Sequence, residues 1–292
     1  MKLDIILITY NQEQYIAQAV ESILMQRVNY DVQVRVIVAD DCSKDNTLEI
    51  IKSYEKKSPF LFVYLSPDTN LGISKNYQRA FAACDGDYIA ILEGDDWWSY
   101  PNHIEQHIRF LCTHKECSMS MNTITFYAQE TQTSKLPYWG YGDADVFYVD
   151  TECQITQGNQ LGNLSACVFR NSCIKQLPAS LFGISIADWM LGVMLSQQGS
   201  IALLKESTSV YRTNENSTWA SLSEKQRVKR MLDLSRQYDK YQNGQYHIYW
   251  KRYRRKLINR NKRYLMPPLL YKFLKILTGL GKTNRLCHQT NK

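Results

Sequence analysis

The chain has 292 residues, enough for one large domain or two modest ones, and its 44% hydrophobic content fits a globular protein rather than a disordered one. The net charge of +7 hides an asymmetry: Lys240 to Lys292 holds 14 Lys or Arg and no Asp or Glu, leaving 21 basic against 28 acidic residues before it. An acidic body with a basic tail reads as two functions on one chain.

Strand-like sequence begins at Leu3 without a basic segment before it, and no apolar run approaches the roughly 18 residues of a spanning helix. Neither a secretory leader nor a transmembrane helix is therefore expected. The eight cysteines include no C-x-x-C pair. Cys112, His114 and Cys117 lack a second half-site, so free thiols in a reducing cytosol are expected.

Residues 3–10 read as a strand. Asn11, with Gln14 three residues on, predicts a capped helix whose apolar positions are Ile16, Ala19, Val20, Ile23 and Leu24. A strand over about 34–39 leads to a helix starting at Asp45 or Asn46. A third strand spans 61–65, Asn70-Leu71-Gly72 forms a turn, a helix covers 74–83, and a fourth strand covers 88–92. Strands alternating with helices at this spacing predict βαβ units and a mainly parallel sheet. Pro101 opens a helix that runs to about His114, and 118–127 reads as a strand. From 135 to 163 the pattern fails, predicting a long functional loop region with a strand near 145–149. Strands at 166–169 and 200–204 and helices at 188–197 and 223–241 complete the reading.

Two acidic clusters carry the chemistry. Asp40-Asp41 follows the apolar run Val36-Ile37-Val38-Ala39, and Glu93-Gly94-Asp95-Asp96 follows Ile89-Ala90-Ile91-Leu92. Each sits where a buried strand ends, the place where open α/β sheets bind ligands. Gathered carboxylates repel one another unless a cation joins them, and a divalent metal carrying a diphosphate is the natural neutraliser. Asp-x-Ser and Asp-Asn-Thr are also good helix cappers, so Asp41 and Asp45 read as structural and Asp40 as functional.

The motifs Thr9-Tyr10-Asn11, Asp40 to Thr47, Asn70-Leu71-Gly72, Gly86-Asp87-Tyr88-Ile89 and Glu93-Gly94-Asp95-Asp96-Trp97-Trp98 fall in one order. With them the sequence resembles family 2 glycosyltransferases of the GT-A fold, most strongly over residues 3–100, moderately over 155–220, and not beyond about 240. The resemblance implies inverting transfer from a nucleotide-diphosphate sugar. Under it Thr9, Tyr10 and Asn11 hold a nucleobase, Asp40 accepts a base N–H, and Asn76 contacts sugar or ribose. Glu93 replaces the first Asp of the family's D-x-D motif at the ribose, and Asp95 binds nucleotide. Asp95 or Asp96 holds Mg²⁺ or Mn²⁺. One of Trp97 and Trp98 packs in the core and the other stacks on sugar; Trp98 is placed on the acceptor side, as is Trp189.

Asp188, in Ile186-Ala187-Asp188-Trp189, resembles the family's catalytic base at a helix start, although Ala187 replaces a common acidic neighbour. A helix N-cap is the compatible structural role. The segment Gly162 to Arg170 resembles an acceptor-side lining. Tyr211-Arg212-Thr213-Asn214 resembles a Y-R-x-H segment in which Asn214 stands for the His. Arg212 is expected at the diphosphate or in a structural salt bridge.

In the tail, eight Lys or Arg crowd 251–263, and the apolar side chains of 269–280 fall on one arc of a helix. This predicts an amphipathic helix on an anionic membrane surface, in preference to a nucleic-acid patch, with a solvated basic helix packing back on the body as the structural alternative.

The expected architecture is α/β and GT-A-like, a Rossmann-like mainly parallel sheet flanked by helices, with a basic amphipathic helical tail. A transferase domain covers 1–222, with a donor half (1–100) and an acceptor half (101–222), and a helical extension covers 223–292. The expected function is metal-dependent, inverting transfer from a UDP-sugar to a glycan or lipid-linked glycan hydroxyl. The expected setting is bacterial surface polysaccharide assembly, with the protein cytoplasmic and peripheral on the inner face of the membrane. The rivals are a nucleotidyltransferase, which would want a basic Gly-rich loop after the first strand, and a membrane-bound glycan-binding scaffold with a decayed site.

Overall fold

The computed structural model describes residues 1–28, 31–136, 140–184, 188–213 and 222–265. The chain divides into a unit over Met1–Glu215 and a second over Asn216–Lys292.

The first unit opens with β1 (Lys2–Thr9), α1 (Ile16–Leu24), β2 (Gln33–Asp40), α2 (Thr47–Glu55), β3 (Leu61–Leu65), α3 (Ile73–Ala83) and β4 (Tyr88–Glu93). It continues through β5 (Trp97–Trp98), α4 (His103–Thr113), β6 (Cys117–Ala128), β7 (Thr133–Lys135), β8 (Val146–Val149) and α5 (Thr151–Thr156). It closes with β9 (Cys167–Arg170), α6 (Asn171–Ile174), α7 (Asp188–Ser196) and β10 (Ser200–Thr213).

One sheet runs β3-β2-β1-β4-β9-β6-β10-β5, with β7 beside β6 and β8 beside β10. The half from β3 to β4 is wholly parallel. Its central strands are buried on both faces, which explains their unbroken apolar runs. Beyond β4 the sheet is mixed, since β9 is antiparallel to both β4 and β6 while β10 is parallel to β6. The register pairs Thr9 with Asp40 and Ile8 with Glu93, so three strand ends meet along one edge.

Local departures have local causes. Asn11 does not cap a helix: its φ is 51°, its N–H donates to Ser43 Oγ at 2.9 Å, and its side-chain oxygen accepts from Lys44 N at 2.7 Å. Asn tolerates this left-handed conformation, and here it stitches the loop after β1 to the loop after β2. The helix starts five residues later, behind Tyr15 and without a side-chain cap bond. In the region read as irregular β8 falls where a strand was expected, and the unexpected element is α5, whose Asp150 side chain accepts from Cys153 N at 2.7 Å. β10 is far longer than expected, because register shifts between Leu204 and Ser209 carry the strand past polar residues that end its apolar pattern.

In the second unit, α8 (Glu224–Tyr241) begins with a Ser223–Gln226 capping box and is followed by α9 (His247–Arg260) and α10 (Lys262–Leu265). Tyr238 and Trp250 pack with ring centroids 5.8 Å apart, and Asp239 Oδ2 accepts from Arg254 and faces His247 Nδ1, each at 2.9 Å. Lys251, Arg255 and Arg260 lie exposed on α9. The amphipathic segment 269–280 lies outside the described residues. Among the described residues no helix is long and apolar enough to cross a membrane, and the cysteines are free thiols.

Candidate active site at the strand ends

After β4 the chain turns sharply, Asp96 N donating to Glu93 O at 2.9 Å, and enters β5. A Cβ at Gly94 would displace the Gln12 amide and stand 2.9 Å from Ile16 Cδ1 and 3.0 Å from Thr9 Oγ1. The turn brings carboxylate oxygens of Glu93, Asp95 and Asp96 within 4.8 Å of one another. Tyr77 Oη donates to Glu93 Oε1 at 2.8 Å, and Asn163 Nδ2 reaches Glu93 Oε2 at 3.2 Å. Asp96 is fully engaged. Its Oδ1 accepts from Arg212 N at 2.9 Å, and its Oδ2 accepts from Asn163 Nδ2 at 2.9 Å and Ser165 Oγ at 2.7 Å. The Asp95 carboxylate, the more open of the two aspartates, is held by the Gln12 side chain.

Burial, more than any single neighbour, pushes all three carboxyls above their ordinary range, and for Glu93 the charges of Asp96, Asp188 and Asp95 add to it. Three hard oxygen donors crowded in one turn at this electrostatic cost suit a divalent cation such as Mg²⁺ or Mn²⁺. Among the described residues this is the one group of three such side chains placed to hold a metal ion.

Asp188 opens α7, half-buried, within electrostatic reach of Glu93 and Tyr77, and burial raises it to about 6. Tyr10 is 44% exposed at the end of β1 and presents its ring to solvent. Thr9 is buried and donates to Gln12 Oε1 at 2.8 Å. Asp40 is fully buried, with Ser43 N donating to its Oδ2 at 2.9 Å and Ser43 Oγ to its Oδ1, so a base reaches it only if the Ser43 loop moves. Asp41 is structural, its carboxylate accepting from Leu71 N and Gly72 N, each at 2.9 Å.

Three expectations are corrected. Asn76 is buried and both ends of its amide are spent, on Ala39 O at 2.8 Å and Arg79 Nε at 2.7 Å, which makes it a strut between α3 and β2. Trp98 is fully enclosed, donating to Ser165 O at 2.8 Å and stacking on His103, so it offers no face to a sugar. Its neighbour Trp97 is half-buried against Tyr127 and Arg212. Trp189 is likewise core, its indole N–H bonded to Gln154 O at 2.6 Å. Arg212, expected at the diphosphate or in a structural salt bridge, is buried among aromatic rings and donates to Asp95 O and to the side-chain oxygens of Gln129 and Gln18. Asn214, Ile186 and Ala187 lie outside the described residues.

The sequence reading missed Tyr77, Gln12 and Ser43. Tyr77 repeats at helical spacing with Ala80 and Phe81, so its ring reads as core and nothing signals the hydroxyl. Asn163 and Ser165 fell inside a segment read only as acceptor lining. Their Asx turn, in which Ser165 N donates to Asn163 Oδ1, is the signal that aims both at the acidic turn.

Residues 4–167 match the sequence profile described as glycosyl transferase family 2. An uncharacterized protein of Mycobacterium tuberculosis is 31% identical over 220 residues, 75% of this chain and 61% of its own, so the chain spans about three fifths of that relative. The dTDP-rhamnosyl transferase RfbG of Shigella flexneri is 26% identical over 233 residues, 76% of this chain and 77% of its own. Among solved structures, S. aureus TarS in complex with UDP-GlcNAc aligns with TM-score 0.59 at 18% identity, covering 82% of this chain and 65% of its own. The mannosyltransferase PcManGT of Pyrobaculum calidifontis, in complex with GDP-Man and Mn²⁺, aligns with TM-score 0.60 at 11% identity, covering 95% and 79%. At these identities the two structures establish a shared fold.

Proposed function

The chain belongs to glycosyl transferase family 2, and from that premise we propose that it transfers a sugar from a UDP-sugar to a hydroxyl of a glycan or lipid-linked glycan, inverting the transferred carbon. The observation that carries this reading is the carboxylate turn Glu93-Gly94-Asp95-Asp96 at the meeting of three strand ends, with Asp188 within electrostatic reach of it. The UDP-GlcNAc, UDP and GDP-Man bound by the solved relatives support a nucleotide-sugar donor, and the Mn²⁺ of one supports a metal.

The donor's base lies against Tyr10 and the loop that Asn11 stitches together. Glu93, Asp95 and Asp96 would hold Mg²⁺ or Mn²⁺, which would offset charge on the departing diphosphate. Asp188 accepts the proton of the acceptor hydroxyl as its oxygen bonds to the anomeric carbon. The bond from that carbon to the diphosphate oxygen breaks on the opposite face, UDP leaves, and the configuration inverts. The exposed basic residues of α9 support docking on anionic lipid at the inner face of a membrane, a setting suited to surface polysaccharide assembly.

The test is thermal stabilisation by a panel of nucleotides with and without Mn²⁺, followed by UDP-sugar hydrolysis. Metal-dependent stabilisation that is greatest for UDP, with hydrolysis lost in Asp95→Ala and Asp188→Ala, supports the reading. No response to any nucleotide sinks it in favour of a glycan-binding scaffold.

A further inference from the structure

Arg212 sits one residue from the end of β10 and is 5% exposed, an unusual place for a cation beside a cluster of carboxylates. Its Nε donates to the Asp95 carbonyl at 2.8 Å, and its main-chain N–H donates to Asp96 Oδ1 at 2.9 Å. One Nη group donates to the carboxamide oxygen of Gln18 at 2.5 Å and the other to that of Gln129. Three rings enclose the guanidinium: its central carbon is 4.7 Å from the ring centroids of Tyr15 and Trp97, and 5.4 Å from that of Tyr127. Trp97 and Tyr127 brace each other edge to face at 5.3 Å.

We infer that Arg212 is a positioning residue for the cation site: its caged guanidinium fastens the Asp95-Asp96 turn to the end of β10 and so fixes where the two carboxylates point. The inference rests on the metal reading proposed above. A turn that begins at Gly94 has backbone freedom of its own, and one residue removes that freedom at both aspartates, at the main chain of the first and the carboxylate of the second. The cage fixes the plane of the guanidinium fork, which a flexible ammonium on a single-point contact cannot do. Side chains that orient metal ligands without touching the metal typically contribute about 10–100-fold in affinity.

The experiment titrates the full-length protein with Mn²⁺ alone, reading free Mn²⁺ by electron paramagnetic resonance, for wild type, Asp95→Ala, Arg212→Met, Arg212→Lys and Trp97→Phe. The expected result is Mn²⁺ affinity lowered about 10–100-fold in Arg212→Met at retained circular dichroism, and lowered less in Arg212→Lys and Trp97→Phe. Turnover in Arg212→Met then recovers in excess Mn²⁺, which a loss of structure would not allow. If Asp95→Ala abolishes Mn²⁺ binding but Arg212→Met binds as wild type does, the positioning role alone is overturned. If Arg212→Met does not fold, Arg212→Lys decides, and wild-type affinity in it overturns the role. If wild type takes up no Mn²⁺, or Asp95→Ala binds it unchanged, the metal reading fails and this inference falls with it.

Discussion

Asp188 has two properties at the residue scale that fit one task. It lies at a helix start beside the acidic turn, and burial lifts its carboxyl to about 6. Only the ionised form accepts a proton, so kcat/KM should rise with pH through about 6 and level off above it. Asp188→Asn should lose about 10²–10⁴-fold in turnover while UDP binding persists, as isothermal titration would show. Gly94→Ala is predicted to fold but to weaken Mn²⁺ binding, because the new methyl displaces the Gln12 amide that holds Asp95; unchanged metal affinity would contradict that contact. The acidic turn was legible because five carboxylates close two wholly apolar runs. Asn76, Trp98 and Trp189 were misread because residue type does not tell which way a side chain faces. Each is of a kind that binds sugars, and each is spent on its own fold.

At the scale of the element, α4 carries a feature that periodicity did not disclose. His103 and His107 are fully buried one turn apart, their ring centroids 4.7 Å apart. His103 Nδ1 meets Thr208 Oγ1 at 2.7 Å, and His107 bonds Ser120 Oγ at 2.9 Å and Asn122 Oδ1 at 3.3 Å. Burial holds His107 down at about 4 and His103 well below its ordinary value, with the neighbouring His107 lowering His103 further. A histidine depressed on folding contributes stability that is present above its unfolded pKa, near 6.5, and lost as pH falls toward the folded value. For His107 that loss is on the order of 3 kcal/mol when complete. The denaturation midpoint should therefore fall between about pH 6.5 and pH 4, and His107→Gln should flatten that slope. Strand and helix positions over residues 1–114 were legible, apart from the start of α1 and the short β5, because the strands are unbroken apolar runs and the helices keep one period. β10 was read short because polar Lys205 to Thr208 interrupt its apolar run while the hydrogen-bonded ladder continues past them.

On the scale of the whole molecule, the acidic first unit and the basic end of the chain divide by charge, a division the composition already carried. Docking on lipid makes a numerical prediction. Juxtamembrane basic residues contribute about 1 kcal/mol each near an anionic surface, so reversing Lys251, Arg255 and Arg260 to Glu should cut binding to phosphatidylglycerol vesicles by at least about a hundredfold. UDP-dependent stabilisation should be unchanged by the same substitutions. Co-sedimentation that is indifferent to them, or to salt, would remove the membrane from the account.

The tie between Arg212 and Asp96 joins residues 116 positions apart. A chain leaves the ribosome from its N-terminus, at about 5–20 residues per second. The strands that present the acidic turn are therefore complete well before the residue that fastens it has been made. A nascent chain should recognise a nucleotide at the Tyr10 edge seconds before it can bind a divalent ion tightly, and competence for transfer should arrive abruptly, with the last few residues of β10.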